Sequence, residues 1–389
     1  MISFIHTADL HLDSPFKGLS NVPGQLLEEI QEASFKAFEH LVTQAIDKKV
    51  DFMLIVGDLF DLNTRSIRAQ AFLRQQFERL NNKSIQVFIT YGNHDFVGDE
   101  KLYLNFPKNV TVFGEDVETF IYQSKNRETV SITGFSYHTR HISTSKIKEF
   151  SPKSDQTDYH IGMYHGDITQ NSTLYAPFEW DDVSRLHYDY MALGHIHQAQ
   201  KIANHIPAYY SGCIQGRHIN ETGEKGAYYV ELNGPSHEST FIPTSMIDWH
   251  SLTLIINEKD TLDSVINQIK NEFGECKKSV MVRLILELEN EESIQVGKLI
   301  TPDHLNQLLI EQNIWLISVE TVLNDLKPIP DMYKESLDVA TQVVLDKKMD
   351  DYLKELLKQV QPKLLKEFKD RDRREDIIQK ALNKLASKT

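Results

Sequence analysis

Five short motifs carry side chains that bind metal ions: Asp9-Leu10-His11, Gly57-Asp58-Leu59-Phe60-Asp61, Gly92-Asn93-His94-Asp95, His165-Gly166 and Gly194-His195-Ile196-His197. Carboxylate, amide oxygen and imidazole together suit manganese, iron or zinc, and the lack of thiolates in these motifs disfavours a structural zinc site. Asp-x-His and His-x-His place both side chains of a pair on one side of an extended segment. One shared carboxylate could then bridge two ions ~3.5–4 Å apart, the geometry of two-metal phosphoester cleavage. Taken singly, Asp9 or Asp58 reads as a turn or cap aspartate, and His165-Gly166 as an ordinary turn. The force lies in the set. The chain has 16 histidines, and those outside the motifs, such as His40, His187 and His304, have no comparable context.

The elements that must position these motifs are legible in the pattern of apolar residues. Short β-rich runs occur at Ile2–Ile5, Phe52–Val56, Gln86–Thr90, Val110–Phe113, Val130–Gly134, His160–Tyr164, Tyr190–Leu193 and Pro207–Ser211. Apolar residues at helical spacing predict helices over Gln25–Lys48 and Ser66–Leu80. Strand–helix–strand order argues for an α/β domain, and the hairpin-like runs up to Ser245 suggest a second sheet packed on the first. Each motif stands just past a predicted strand. In open α/β sheets ligands bind outside the carboxyl ends of the strands, so the five loops could converge on one crevice. Gly57, Gly92 and Gly194 would let those loops turn sharply.

From about Asp248 the pattern changes to a β-α-β-α-β module, with strands at Leu252–Ile256, Val280–Leu288 and Ile314–Thr321 and helices at Leu262–Phe273 and Thr301–Gln312. Lys327-Pro328-Ile329-Pro330 punctuates the chain. Beyond it two amphipathic helical segments carry Ala340–Val360 and Leu364–Leu385. The expected division is residues 1–247, 248–326 and 331–389, in keeping with roughly 100–200 residues per domain. Two cysteines, Cys213 and Cys276, make no disulfide framework, and no apolar run approaches the length of a membrane span or a secretory signal. A cytoplasmic protein without membrane contact is expected. The net charge of −14 argues against a generally basic nucleic-acid coat protein, although residues 351–389 hold 11 Lys+Arg against 7 Asp+Glu. An acidic body can bind a polyanion when divalent cations sit among its carboxylates.

The ordered motifs resemble the calcineurin-like metallophosphoesterase superfamily. The opening Ile5-His6-Thr7-Ala8-Asp9-Leu10-His11-Leu12-Asp13, with Gly57–Asp61 and Gly92–Asp95, is similar to the SbcD-type DNA repair nucleases and their YhaO-like branch. The resemblance implies a two-sheet sandwich flanked by helices (αββα), then a small α/β capping domain and C-terminal helices. It implies two divalent ions, most simply Mn(2+). Asp9, His11, Asp58 and His197 would hold one; Asp58 as bridge, Asn93, His165 and His195 would hold the other. His94 corresponds to a histidine that faces the scissile phosphate without binding metal. Asp61 departs in part, since some relatives carry histidine there, and it would pair with His94. The implied activity is a Mn-dependent DNA nuclease, as exonuclease or endonuclease. The implied partners are DNA, an SMC-like ATPase of the SbcC or YhaN type engaged by the C-terminal helices, and a second copy of the chain.

Two other readings compete. A phosphodiesterase for small substrates such as cyclic nucleotides uses very similar motifs, but needs neither a cap nor a helical tail. A non-catalytic scaffold is opposed by the retention of every expected ligand. Ser211-Gly212-Cys213-Ile214-Gln215-Gly216-Arg217 could present backbone N–H groups and Arg217 to a phosphate, or could form a plain glycine-rich turn.

Overall fold

The computed structural model describes residues 1–14, 16, 22–61, 66–96, 104–169, 173–202, 206–289 and 293–323. The elements in chain order are β1 (Ile2–Thr7), α1 (Gly24–Asp47), β2 (Phe52–Val56), α2 (Ile67–Asn81), β3 (Gln86–Thr90), β4 (Val110–Val112), β5 (Glu118–Gln123), β6 (Thr129–Gly134), β7 (Tyr159–His165) and α3 (Trp180–Ser184). They continue with β8 (Tyr190–Gly194), β9 (Gln200–Lys201), β10 (Ala208–Tyr210), β11 (Gly226–Asn233), β12 (Ser236–Pro243), β13 (Ile247–Ile256), α4 (Leu262–Phe273), β14 (Ser279–Leu288), α5 (Ser293–Leu299), α6 (Pro302–Leu309) and β15 (Ile314–Leu323). The two amphipathic segments expected beyond Pro330 lie outside the described residues.

Two six-stranded sheets, ordered β12-β11-β1-β2-β3-β4 and β5-β6-β7-β8-β10-β9, form the body. In the first, β1 to β4 run parallel; in the second, β6, β7, β8 and β10 do. A central parallel strand is covered on both faces and reads as a continuous apolar run, as in Phe52-Met-Leu-Ile-Val56, all buried. Alternate residues of β2 then serve two cores. Met53 and Ile55 face a layer with Phe38, Leu41, Leu73 and Phe77 of α1 and α2, whereas Phe52, Leu54 and Val56 face Ile161, Met163 and Tyr190 of the other sheet. Phe4 stacks on Phe52 with centroids 5.0 Å apart and meets Tyr190 edge-on at 5.2 Å, interlocking the sheets. A third cluster, including Phe135, Tyr164, Val183 and Leu186, lies behind the second sheet under α3. The layers are thus helix, sheet, sheet, helix.

The hairpin β11–β12 departs from the sequence reading. It does not extend the second sheet: β11 pairs antiparallel with β1 and adds two strands to the first. Tyr229 and Ala227 of β11 pack with the α1 layer while Val230 and Leu232 pack between the sheets, so both faces of the strand are consumed there.

The chain divides into two compact units. One comprises Met1–Leu252, Ile266–Ile285 and Thr301–Glu320; the other comprises Thr253–Val265, Leu286–Ile300 and the described residues from Thr321. Strands β13, β14 and β15 make a three-stranded sheet in that order. Within the first unit, Ile247, Trp249, Met281 and Trp315 bury Ile30 and Ala33 of α1. Within the second, α5 turns back so that Gly297 lies against Leu288 and Thr321, a segment the sequence pattern did not reveal.

Candidate metal centre

Six parallel strands deliver their carboxyl ends to one cleft. Asp9 and His11 follow β1, Asp58 follows β2, Asn93 and His94 follow β3, His165 ends β7, His195 and His197 follow β8, and Arg217 follows β10. The loops after β1 and β2 stay paired beyond their strands: Asp9 N donates to Gly57 O (3.1 Å) and His11 N to Asp58 O (2.9 Å). Asp9, His11, Asp58 and His195 all take positive φ, at 52°, 42°, 53° and 101°. Such conformations cost about 1–3 kcal/mol each in non-glycine residues and persist where surrounding structure enforces them. Glycine is required between them. A Cβ on Gly92 would overlap Asp58 Oδ1 and lie 2.7 Å from His165 Nε2.

Asp9, His11, Asp58, Asn93 and His165 are buried, whereas His195, His197, His94 and Asp61 line the open side. Among the described residues the donor atoms fall into four groups, two of which overlap at Asp9. Asp9, His11 and His197 converge in one, and Asp9, Asp58 and His165 in the other, each with its ligand atoms within 4.8 Å of one another. His11 Nε2 lies 3.2 Å from His197 Nε2 and 3.7 Å from Asp58 Oδ2. Asn93 Oδ1 lies 3.1 Å from His165 Nε2 and 3.2 Å from His195 Nδ1.

The outer partners of the imidazoles show which nitrogens carry protons. His165 Nδ1–H donates to Val56 O (2.9 Å), His197 Nδ1–H to Glu221 Oε1 (2.6 Å) and His195 Nε2–H to Asp167 Oδ1 (3.2 Å). In the neutral imidazole that arrangement turns the other ring nitrogen inward as a lone pair. These nitrogens face oxygens: His165 Nε2 lies 3.1 Å from Asn93 Oδ1 and 3.5 Å from Asp58 Oδ2, His195 Nδ1 lies 3.2 Å from Asn93 Oδ1, and His197 Nε2 lies 3.7 Å from Asp9 Oδ1. Acceptors aimed at acceptors in a buried cleft are the arrangement that divalent cations satisfy, and the oxygen and imidazole set fits such ions. The electrostatics agree. Burial and the neighbouring Asp58 charge push Asp9 well above the carboxylate range, and burial lowers His11 far below the imidazole range and His165 to about 4.

His94 belongs to neither of those two groups, although with His11 and Asp61 it makes a further set of converging donors. Its Nδ1–H donates to Asp61 Oδ1 at 2.6 Å, and its backbone N–H donates to Asp58 Oδ1 at 2.9 Å. Burial alone would lower His94, but the Asp61 hydrogen bond and the Asp58 and Asp61 charges outweigh it and raise the imidazole, favouring the protonated form. The same bond holds Asp61 well below the carboxylate range. Arg217 is engaged by side chains of the site itself, with Nη1 donating to Ser14 Oγ (3.0 Å) and to Asp61 Oδ2 (3.4 Å).

Three carboxylates that the sequence reading assigned no role organise the site. Asp95 accepts from the backbone N–H groups of Leu59 (2.6 Å), Gly92 (2.7 Å) and Asp58 (3.2 Å), clamping two loops together. Its place in Gly92-Asn93-His94-Asp95 was the only signal for it. Asp167 and Glu221 orient His195 and His197; neither shares a motif spacing with its partner, so nothing in the linear pattern marks them.

A model of the calcineurin-like phosphoesterases matches residues 2–199, which contain Asp9, His11, Asp58, Asn93, His165, His195 and His197. The chain belongs to that family. It is therefore a metallophosphoesterase. A metallophosphoesterase of Bacillus subtilis, YhaO, described as uncharacterized, is 37% identical over 293 residues, covering 74% of this chain and 72% of its own. A DNA double-strand break repair protein Mre11 of Methanocaldococcus jannaschii is 26% identical over 294 residues, 72% of this chain and 75% of that protein. The Mre11 of Thermoplasma acidophilum is 23% identical over 338 residues.

Proposed function

We propose that this metallophosphoesterase is a Mn-dependent DNA nuclease that hydrolyses phosphodiester bonds at a two-metal centre. The observation that carries the proposal is the pair of donor clusters that share Asp9, with Asp58 Oδ2 within 3.7 Å of His11 Nε2 and 3.5 Å of His165 Nε2 and the protonation-prone His94 beside them. Asp9, His11, Asp58 and His197 would hold one ion; Asp58, Asn93, His165 and His195 would hold the other. Relatives named as DNA double-strand break repair proteins support DNA as the substrate.

Bound there, two divalent cations supply Lewis acidity toward the phosphoryl oxygens and acidify water. The chain supplies the rest. Asp58, whose Oδ2 approaches both His11 and His165, would be the carboxylate shared by the two ions. Glu221, Asp167 and Val56 O hold three imidazoles in the tautomer that turns a lone pair inward. Asp61 accepts Nδ1–H of His94, which leaves Nε2–H as the proton to give to the leaving 3′ oxygen or to the developing charge. Such proton donation contributes typically ~10²–10⁴-fold. A substrate phosphate would meet Arg217 only in competition with Asp61.

Support for the assembly comes from the resemblance of the motifs. An SMC-like ATPase is the partner in this reading, engaged by residues 331–389, and the chain self-associates as a dimer. Sedimentation of the purified protein, alone and with the ATPase, tests both: a monomer that ignores the ATPase would overturn them. The catalytic proposal is tested by manganese-dependent cleavage of linear duplex and single-stranded DNA.

A further inference from the structure

On the two-metal reading proposed above, we infer that Arg217 and Glu221 are positioning residues that tie His197, on the metal side of the cleft, to His94, on the leaving-group side, through one guanidinium. The chain of contacts is continuous. Glu221 Oε1 accepts Nδ1–H of His197 (2.6 Å), and Glu221 Oε2 accepts the backbone N–H of Arg217 (2.7 Å). Arg217 Nη2 donates to Glu221 Oε1 (3.4 Å), while Nη1 donates to Asp61 Oδ2 (3.4 Å) and to Ser14 Oγ (3.0 Å). Ser14 Oγ–H donates in turn to Asp61 Oδ2 (2.8 Å), and Asp61 Oδ1 holds His94 at 2.6 Å.

Both residues are largely withdrawn from solvent, with side chains 12% and 7% exposed. A guanidinium divided between two carboxylates is poorly placed to act first on a substrate phosphate. It is well placed to neutralise them. Glu221 and Asp61 would otherwise add two uncompensated charges beside Asp9 and Asp58, in a cleft where each buried charge must be matched. The planar fork also fixes geometry, because one rigid group spans acceptors on the loops after β1, β2 and β10. Of the two imidazoles Glu221 touches only His197, while it also lies 3.5 Å from His218 Nε2; Arg217 reaches the carboxylate partners of both.

Full-length wild type, Glu221→Ala, Glu221→Gln and Arg217→Lys would be titrated with manganese by calorimetry and assayed for kcat and KM on bis-p-nitrophenyl phosphate. Circular dichroism would check folding, and the conservative Gln and Lys variants keep the test decisive if the Ala variant unfolds. We expect Glu221→Ala to weaken one of two manganese ions by about 10–100-fold and to spare the other. Glu221→Gln, which keeps an acceptor for His197 but loses the charge, should fall between. Arg217→Lys cannot span the acceptors, so kcat should drop by about tenfold or more with KM within about twofold. A raised KM with kcat and manganese affinity unchanged would make Arg217 a phosphate binder and overturn the inference. So would unaltered manganese affinity in both Glu221 variants. A wild type that binds no manganese or leaves the ester intact would overturn the two-metal reading itself, and the inference with it.

Discussion

His94 and His195 lie in the same cleft and differ in what they face. His195 Nδ1 faces Asn93 Oδ1, whereas His94 is tied through Nδ1 to Asp61 and, in the proposed mechanism, serves the leaving group. His94→Ala is therefore expected to keep both manganese ions and lose about 10²–10⁴ in kcat, while His195→Ala loses metal as well. Calorimetry beside a turnover assay separates the two, and equal metal loss in both variants would remove the distinction. Asp61→Asn should lower kcat and move the alkaline limb of the pH profile to lower pH, because the raised His94 depends on that carboxylate. An unchanged profile would deny Asp61 its role. At this scale the sequence was informative about the inner groups and silent about the outer ones. Asp9, His11, Asp58, Asn93, His165, His195 and His197 announce themselves by type and by their place after strands. Glu221 and Asp167 are ordinary acidic residues until the fold sets them against an imidazole.

At the level of elements, the strand ends must be held in register across two sheets. His6 of β1 does part of this: its Nε2–H donates to Leu193 O (3.1 Å), and Tyr190 Oη–H donates to its Nδ1 (3.0 Å), both on β8. Burial lowers His6 to about 3. The unfolded chain takes up a proton near the ordinary imidazole value of 6.5 and the folded chain does not, so stability is present above that pH and is lost as pH falls toward 3. Replacement by glutamine, His6→Gln, should flatten the fall of stability between pH 6.5 and 4.5 by up to about 1.4 kcal/mol per pH unit, read from urea midpoints. Equal slopes in the two proteins would place the acid sensitivity elsewhere. A second expectation concerns the loop after β3. Gly92→Ala puts a methyl group on Asp58 and His165, and should abolish manganese binding in a protein that still unfolds cooperatively. Most strands and both long helices were legible because their apolar periods are strong. The pairing of β11 with β1 was not, since alternation names a strand but not its neighbour. Helix α5 was missed because seven residues with Gly297 inside carry little helical signal.

For the whole molecule, the charge of −14 sets the terms on which a polyanion can approach. Binding of DNA should depend on the divalent ions in the cleft, since a net charge of −14 opposes the approach of a polyanion. Metal should also stabilise the fold. Buried, mutually repelling donors converge only in the native state, so manganese at about 100-fold above its dissociation constant adds about 2.7 kcal/mol per site. Thermal unfolding with manganese and with a chelator checks this, and identical midpoints would mean that the donors do not bind the ion. Among the described residues no helix is long and apolar enough to cross a membrane. The central claim is hydrolysis of DNA phosphodiesters at the two-metal cleft. Its most direct test is incubation of linear duplex and single-stranded oligonucleotides with purified protein and manganese, beside His94→Ala and a bis-p-nitrophenyl phosphate control. The account predicts degradation of DNA by the wild type and its loss in His94→Ala. Hydrolysis of the small ester with both DNAs left intact would contradict the nuclease assignment.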